Sequence, residues 1–278
     1  MKKIILLIAL AVTFLQSCDE NDDNGLGNVS EATRAAFVIK YPSAQQVEWE
    51  VRNSYRVADF KQEGKDISAW FDNAGDWYMT ETDIPFDLLP DAVKSAFRQS
   101  EYQSWKIDDV DMIERKEMET VYVVEIEQGQ DEMDLYYSHD GILIKSVTDT
   151  DSDDDYEGFI PSQPSGIIEE YINKTYPNSR IVDIDIENGT TEVEILDGNV
   201  YRELSFNIEG IWMQTKTELH SSQLPVAVLE SIKNSQYATY VIDDVDFIQT
   251  SSGEWYLVEL ESGKNEVKIR IDATGVIL

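Results

Sequence analysis

Ile107-Asp108-Asp109-Val110-Asp111 recurs unchanged as Ile242-Asp243-Asp244-Val245-Asp246, a spacing of 135 (242 less 107). The same spacing carries Tyr41-Pro42 onto Tyr176-Pro177 and Leu89-Pro90 onto Leu224-Pro225. It carries Phe71-x-x-x-Gly75-x-Trp77 onto Phe206-x-x-x-Gly210-x-Trp212, and Ser100-x-Tyr102 onto Ser235-x-Tyr237. One deletion later the spacing is 134: Tyr122-Val123-Val124-Glu125 matches Tyr256-Leu257-Val258-Glu259, and Gly141 matches Gly275. Chance does not hold one register over so many positions, so the chain is a tandem duplication of a module of about 120 residues, an ordinary domain size.

Each copy opens two helical patterns. Thr33, Ala36 and Phe37 answer to Ile168, Tyr171 and Ile172 at i, i+3, i+4, and Val93, Ala96 and Phe97 answer to Val228, Ser231 and Ile232. Pro42 and Pro177 stop the first helix of each copy, because the residue before proline avoids helical geometry. Pro90 and Pro225 suit the start of the second. After each helix the period changes to two. Val47, Trp49 and Val51 alternate with Glu48 and Glu50, and Val182, Ile184 and Ile186 alternate with Asp183, Asp185 and Glu187. Strands are expected at 54–60, 66–72, 76–80, 107–114, 120–127, 132–138 and 142–147, with corners at Asn53-Ser54, Glu63-Gly64 and Asn73-Ala74-Gly75. Helix followed by an antiparallel meander, four times over, makes an α+β fold. Two tandem modules each hold two such units, with the helices packed on one sheet face.

Both copies must bury corresponding positions, which identifies the helix side of each sheet. Ala58 and Phe60 pair with Val193 and Ile195, Ala69 and Phe71 with Leu204 and Phe206, and Trp77 with Trp212. Tyr122, Val124 and Ile126 pair with Tyr256, Val258 and Leu260; Met133, Leu135 and Tyr137 pair with Val267, Ile269 and Ile271. The intervening residues point the other way. In copy one they are Tyr55, Val57, Trp70, Tyr78, Val121, Val123 and Tyr136; in copy two they are Thr190, Glu192, Ser205, Met213, Trp255, Leu257 and Arg270. An antiparallel sheet with one solvated face is normally polar there. The aromatic and β-branched set of copy one is therefore a binding surface, the face on which the two modules pack, or a face that a loop covers.

Residues 1–17 read as a signal peptide. Lys2 and Lys3 precede an apolar run from Ile4 to Leu15, too short to span a membrane. Leu15-Gln16-Ser17-Cys18 resembles the lipobox of bacterial lipoprotein precursors, in which the cysteine is lipidated and becomes the new terminus. Cys18 is the only cysteine of the chain. The acidic stretch at 18–28 reads as a tether, and its likeness to the export signal of surface lipoproteins competes with a plain solvated spacer. The expected domains are modules at 29–147 and 162–278 joined by an acidic linker at 148–161. Tested as a calcium loop from Asp149 or Asp151, that linker has Asp154 or Tyr156 where glycine belongs and Ile160 or Ser162 where glutamate belongs.

Composition narrows the function. With Lys2 and Lys3 removed, 20 basic residues face 55 acidic ones, and so negative a chain repels nucleic acid and anionic headgroups. His139 and His220 are the only histidines, and no G-x-S-x-G turn, P-loop or G-x-G-x-x-G stretch is present. No enzyme, metal site or cofactor is expected.

The helix ending in Tyr-Pro, the Val-x-Trp strand, Trp70-Phe71-Asp72-x-x-Gly75-x-Trp77, and Leu89-Pro90-x-x-Val93 entering a second helix resemble the PepSY-like, β-lactamase-inhibitor-protein-like domain of secreted bacterial lipoproteins. The resemblance covers nearly all of 29–278. Copy two departs from it at Ile184 and Ser205, where copy one has Trp49 and Trp70. It implies a curved sheet and a non-enzymatic role; the inhibitor that lends the name clamps its enzyme with the concave sheet face. The expectation is therefore a monomeric binding protein, possessing no cofactor, lipid-anchored through Cys18 to the outer membrane of the cell envelope. Its partner, a protein or other ligand, would meet the open face built from Tyr55, Val57, Trp70, Tyr78, Val121, Val123 and Tyr136. The alternative is a calcium-responsive envelope protein, motivated by the two Ile-Asp-Asp-Val-Asp segments.

Overall fold

The computed structural model describes residues 29–148 and 164–278. The leader, Cys18, the tether and most of the linker lie outside the described residues.

The chain forms two antiparallel sheets with a few short helices. The first half runs α1 (Glu31–Lys40), β1 (Gln45–Arg52), β2 (Tyr55–Gln62), β3 (Lys65–Phe71), β4 (Trp77–Asp83), α2 (Asp91–Gln99), β5 (Lys106–Arg115), β6 (Val121–Gln128), β7 (Asp131–Ser138) and β8 (Leu143–Thr148). The second runs α3 (Gly166–Thr175), β9 (Arg180–Glu187), β10 (Thr190–Asp197), β11 (Val200–Phe206), β12 (Trp212–Glu218), α4 (Val226–Lys233), β13 (Val241–Thr250), β14 (Gly253–Ser262) and β15 (Asn265–Ile271). Each sheet is a meander in chain order, with eight strands in the first and seven in the second. In the second half the place of an eighth strand is taken by a single bridge between Ile271 and Ile277.

The helix side is buried as the alternation requires. Phe37 and Tyr41 pack on Ala58, Phe60, Ala69 and Phe71, while Val93 and Phe97 pack on Tyr122, Val124, Ile126, Leu135 and Tyr137. Ile168 and Ile172, then Val228 and Ile232, repeat this on the second sheet. The repeated Tyr-Pro and Trp residues have a structural purpose. Trp77 Nε1 donates to Thr80 Oγ1 at 2.8 Å, and the Tyr41 hydroxyl is hydrogen-bonded to the same oxygen. Trp212, Thr215 and Tyr176 build the same knot in the second half. It gives the polar end of each buried aromatic a partner.

Gly75 shows why the hairpin glycines repeat. Its φ is +92°, and a Cβ there would stand 2.8 Å from the Ala32 carbonyl oxygen in the first turn of α1. Gly141 meets the Ala92 carbonyl of α2 in the same way, at 2.6 Å. A side chain would push helix and sheet apart, so glycine is required for steric as well as torsional reasons.

The repeated pentapeptide is a β-bulge. Pairing of β5 with β6 breaks between Ile107 and Val110, and pairing of β13 with β14 breaks between Ile242 and Val245. The two middle aspartates stand opposite a single residue of the next strand, Glu125 or Glu259, so one residue is extra, and Asp109 Oδ1 accepts the backbone N–H of Val110 at 2.8 Å. The bulge swings the last aspartate, Asp111 or Asp246, onto the side away from the helices, where both are buried.

Candidate functional site

The helix-free side of the first sheet is not open. Val57, Trp70, Val121 and Val123 are 0% exposed, Tyr136 is 6% exposed, and Tyr55 and Tyr78 are half-buried. Val57, Trp70, Val121, Val123 and Tyr136 form one apolar cluster with Met79, Ile113 and Ile144, against which Tyr55 packs; it is closed by Val182 and Leu196 and flanked by Tyr201, all from the second half. Five of the seven residues expected to form a binding surface are therefore interior, and Tyr55 and Tyr78 lie half-buried at their edge, which corrects that expectation. The reading in which one half packs on the other is what the structure holds.

The closure has an identifiable origin. Glu194 pairs with Asp183 but Ile195 with Ile181, so Val182 is the extra residue of a bulge in β9 and turns towards the first sheet. Arg115, almost wholly buried on β5, donates to Asp183 Oδ1 at 3.0 Å and to the Val182 carbonyl. Glu119 N–H donates to the Ile181 carbonyl at 2.8 Å, and Arg180 forms ion pairs with Glu119 at 2.8 Å and Asp140 at 3.0 Å. Three cations, Arg115, Arg180 and the nearby Lys145, sit at this junction of a very acidic chain.

The helix-free side of the second sheet differs in chemistry and exposure. Cross-strand register places Asp183, Glu194, Glu203, Lys216, Ile248 and Trp255 in one line across six strands, β9 to β14. A parallel line holds Glu218, Asp246, Leu257 and Arg270. Where the first sheet has Val57 and Trp70, this one has Glu192 and Ser205, so the apolar filling is gone. Met213 is 40% exposed, Arg270 is exposed with its guanidinium 5.3 Å from the Trp255 ring centre, and Trp255 and Leu257 are half-buried.

The central group of this side is Lys216. Its Nζ lies 3.1 Å from Glu203 Oε1 and 4.0 Å from Asp246 Oδ1. One ammonium cannot neutralise so many acids. Burial, helped by Asp244, Glu203 and Glu218 and opposed by Lys216, pushes the Asp246 carboxyl up to about 6. Burial likewise raises Glu192, beside Glu203 and Asp185, and raises Glu194, where Lys145 opposes it. The result is a cation-attracting surface with an apolar margin. Sequence alternation identified Glu192, Trp255, Leu257 and Arg270 on this side but missed Glu194, Glu203, Lys216 and Asp246; the pentapeptide held Asp246 in view, and only the bulge shows which way it points.

Both histidines have local roles. The His220 backbone and ring cap the short turn before α4, accepting Ser222 N–H at Nδ1, and His139 Nδ1 is hydrogen-bonded to the Tyr122 hydroxyl. An open cleft of about 740 Å³ at the junction, lined among others by Leu143, Tyr201, Arg202, His220 and Asp244, has its arginine already tied to Asp197 and Thr217.

Two antiparallel meanders backed by short helices, one with its far side filled and one with that side covered at its β9–β11 end and accessible around Trp255, Leu257 and Arg270, define a tandem sheet protein. The chain belongs to the PepSY-like family, described as "Putative beta-lactamase-inhibitor-like, PepSY-like", whose model matches residues 53–145 and 190–278 and so confirms two tandem copies. A BLIP-like protein from Bacteroides fragilis is 39% identical, over 45% of this chain and 90% of its own, with a TM-score of 0.43. A DUF2874 family protein from Bacteroides ovatus is 30% identical, over 45% of this chain and 92% of its own, with a TM-score of 0.44. A protein from Bacteroides eggerthii described as periplasmic is 24% identical, over 45% of this chain and 93% of its own, with a TM-score of 0.44. No curated protein matches the chain.

Proposed function

We propose that this is a non-catalytic binding protein of the bacterial cell envelope, anchored by lipid at Cys18, and that it holds a protein partner on the helix-free side of its second sheet. The carrying observation is the asymmetry between the two sheets. The corresponding side of the first is filled by the second half, whereas that of the second presents Met213, Trp255, Leu257 and Arg270 beside a field of carboxylates. Aromatic and aliphatic groups contribute contact area, and the carboxylates select a basic partner surface and speed its encounter. An inhibitory role is one form such binding takes. The bulge accounts for both Ile-Asp-Asp-Val-Asp segments through the backbone, so nothing separate supports a calcium response. Envelope location agrees with the lipobox-like Leu15-Gln16-Ser17-Cys18.

Site-specific photo-cross-linking in intact cells tests the surface. A cross-linker at Leu257 should capture a basic envelope protein that one at Ile39, exposed on α1, does not. Equal capture at both positions, or none at Leu257, would reject the assigned face. Cys18→Ser should move the protein from the membrane to the soluble fraction; retention in the membrane would reject the anchor.

A further inference from the structure

The junction inside the chain joins one corner of the second half to one side of the first, and the repeat places a second, unused set of both on the molecule. The corner in use is the start of β9 with the end of β10. Val182, the extra residue of its bulge, is 1% exposed, Asp183 is held by Arg115, and Leu196 is buried. Their counterparts 135 residues earlier are Val47, Glu48 and Lys61. A bulge recurs there in β1, with Gln46 and Val47 facing the single residue Phe60, although Gln46 takes a φ of +54°. Among the described residues this corner stands uncovered: Val47 is 36% exposed, and Gln45, Gln46, Glu48 and Lys61 are exposed with it. The receiving side recurs too. Ile113, Val121 and Val123 of the closed cluster have Ile248, Trp255 and Leu257 as counterparts, at the uncovered end of the second sheet. The departures from the first joint match one another. Val57 and Trp70 become Glu192 and Ser205 on the receiving side, while Leu196 becomes Lys61 on the corner. Tyr136 becomes Arg270. Lys145 lies 5.2 Å from the Tyr136 ring centre and 3.8 Å from Asp183 Oδ2, so Arg270 sets a cation near the place where Glu48 would need one.

We infer that the chain associates head to tail with a second copy of itself. The β1–β2 corner of one copy, led by Val47, docks on the Trp255, Leu257 and Arg270 end of the other and repeats between molecules the joint found inside each. Val47 seats on the apolar groups, Glu48 pairs with Arg270, and Lys61 leaves Asp66 for the acids of the receiving side. The Lys61–Asp66 pair, at 2.8 Å, is exposed on both sides, and such a pair is exchanged at little cost. The two surfaces differ, so the contact does not close on a twofold axis and extends into a string or a ring. Arg115 has become Thr250, so the new joint lacks the buried lock of the first and should be weak, with a dissociation constant of roughly 10 μM to 1 mM. Self-association goes beyond the partner reading above, since it needs only the chain itself; a partner and a second copy exclude each other on this face.

Sedimentation velocity of the purified chain tests this, with Cys18→Ser so that no lipid takes part. Salt of about 0.3 M screens the repulsion between such acidic molecules. The chain should sediment as a concentration-dependent series of dimers and larger species. Val47→Asp on the corner and Arg270→Glu on the receiving side are changes at exposed positions, so the melting temperature should hold. Each should weaken association about tenfold or more, the loss of one buried aliphatic contact or of one ion pair turned repulsive. Mixed together, the two variants should form a heterodimer and nothing larger, because each supplies the surface that the other has lost. A chain still monomeric at about 1 mM, association that neither change weakens, or variants that stay apart when mixed would overturn self-association. Capture of a different protein at Leu257 in cells, with the purified chain monomeric, would overturn self-association and leave the face standing. Head-to-tail association with only further copies captured at Leu257 would uphold it and overturn the basic partner.

Discussion

Trp70 and Ser205 occupy equivalent places in the two copies, and the difference between them goes far to decide which sheet is closed. The Trp70 indole is fully buried in the cluster that the second half closes, whereas Ser205, also buried, is a small hydroxyl with no comparable apolar surface. Trp70→Ala should therefore cost about 3–5 kcal/mol of unfolding free energy, measured by urea denaturation, rather than leave stability untouched as a surface aromatic would. Asp246 gives the opposite kind of residue. Its carboxyl titrates near 6 in the fold and near the ordinary aspartate value when unfolded, so the native state binds the proton more tightly. Its contribution to stability is thus present below about pH 4 and is lost as pH rises towards 6. The difference in melting temperature between Asp246→Asn and wild type should be largest above pH 6 and should shrink towards pH 4; a constant difference would contradict the assignment.

At the scale of elements, two bulges shape the molecule. The Asp-Asp bulge in β5 and β13 turns Asp111 and Asp246 to the helix-free side, and the Val182 bulge in β9 turns an apolar residue into the other half. Arg115 locks the second of these. Because its guanidinium is buried against Asp183 and the Val182 carbonyl, Arg115→Ala leaves a carboxylate beside an apolar cluster. Removing one partner of a buried pair costs about 3–5 kcal/mol. Hydrogen exchange should show the loss first at β9 and β5, with α2 and α4 protected as before. Uniform loss across both sheets would mean that the halves do not separate along this seam.

For the whole molecule, the consequence is that the halves are not interchangeable beads. One half covers the other's aromatic side, and the acidic face with Trp255, Leu257 and Arg270 is left uncovered. The first half produced alone should expose Val57, Trp70, Val121 and Val123 together, bind a hydrophobic dye and self-associate, as a contiguous apolar patch of that kind does. A monomeric, dye-silent first half would show that the cluster can close on itself.

Much of the fold could be read from the repeat, because buried positions must agree between copies and a period of two leaves only two sides to choose from. The helix sides, the four helices and the hairpin glycines followed from that constraint, which is local in each strand pair. Tyr41 and Trp77 recur because both bond one threonine hydroxyl in each copy, and Gly75 recurs because the turn needs a positive φ in each. The use of the helix-free sides was not legible, since alternation says that Trp70 and Trp255 point away from the helices without saying what they meet. That depended on a register slip at Val182, one buried arginine and the docking of two sheets remote in sequence. Such contacts arise only when the chain is folded, because they are set by the geometry of opposing surfaces and not by any pattern within either one.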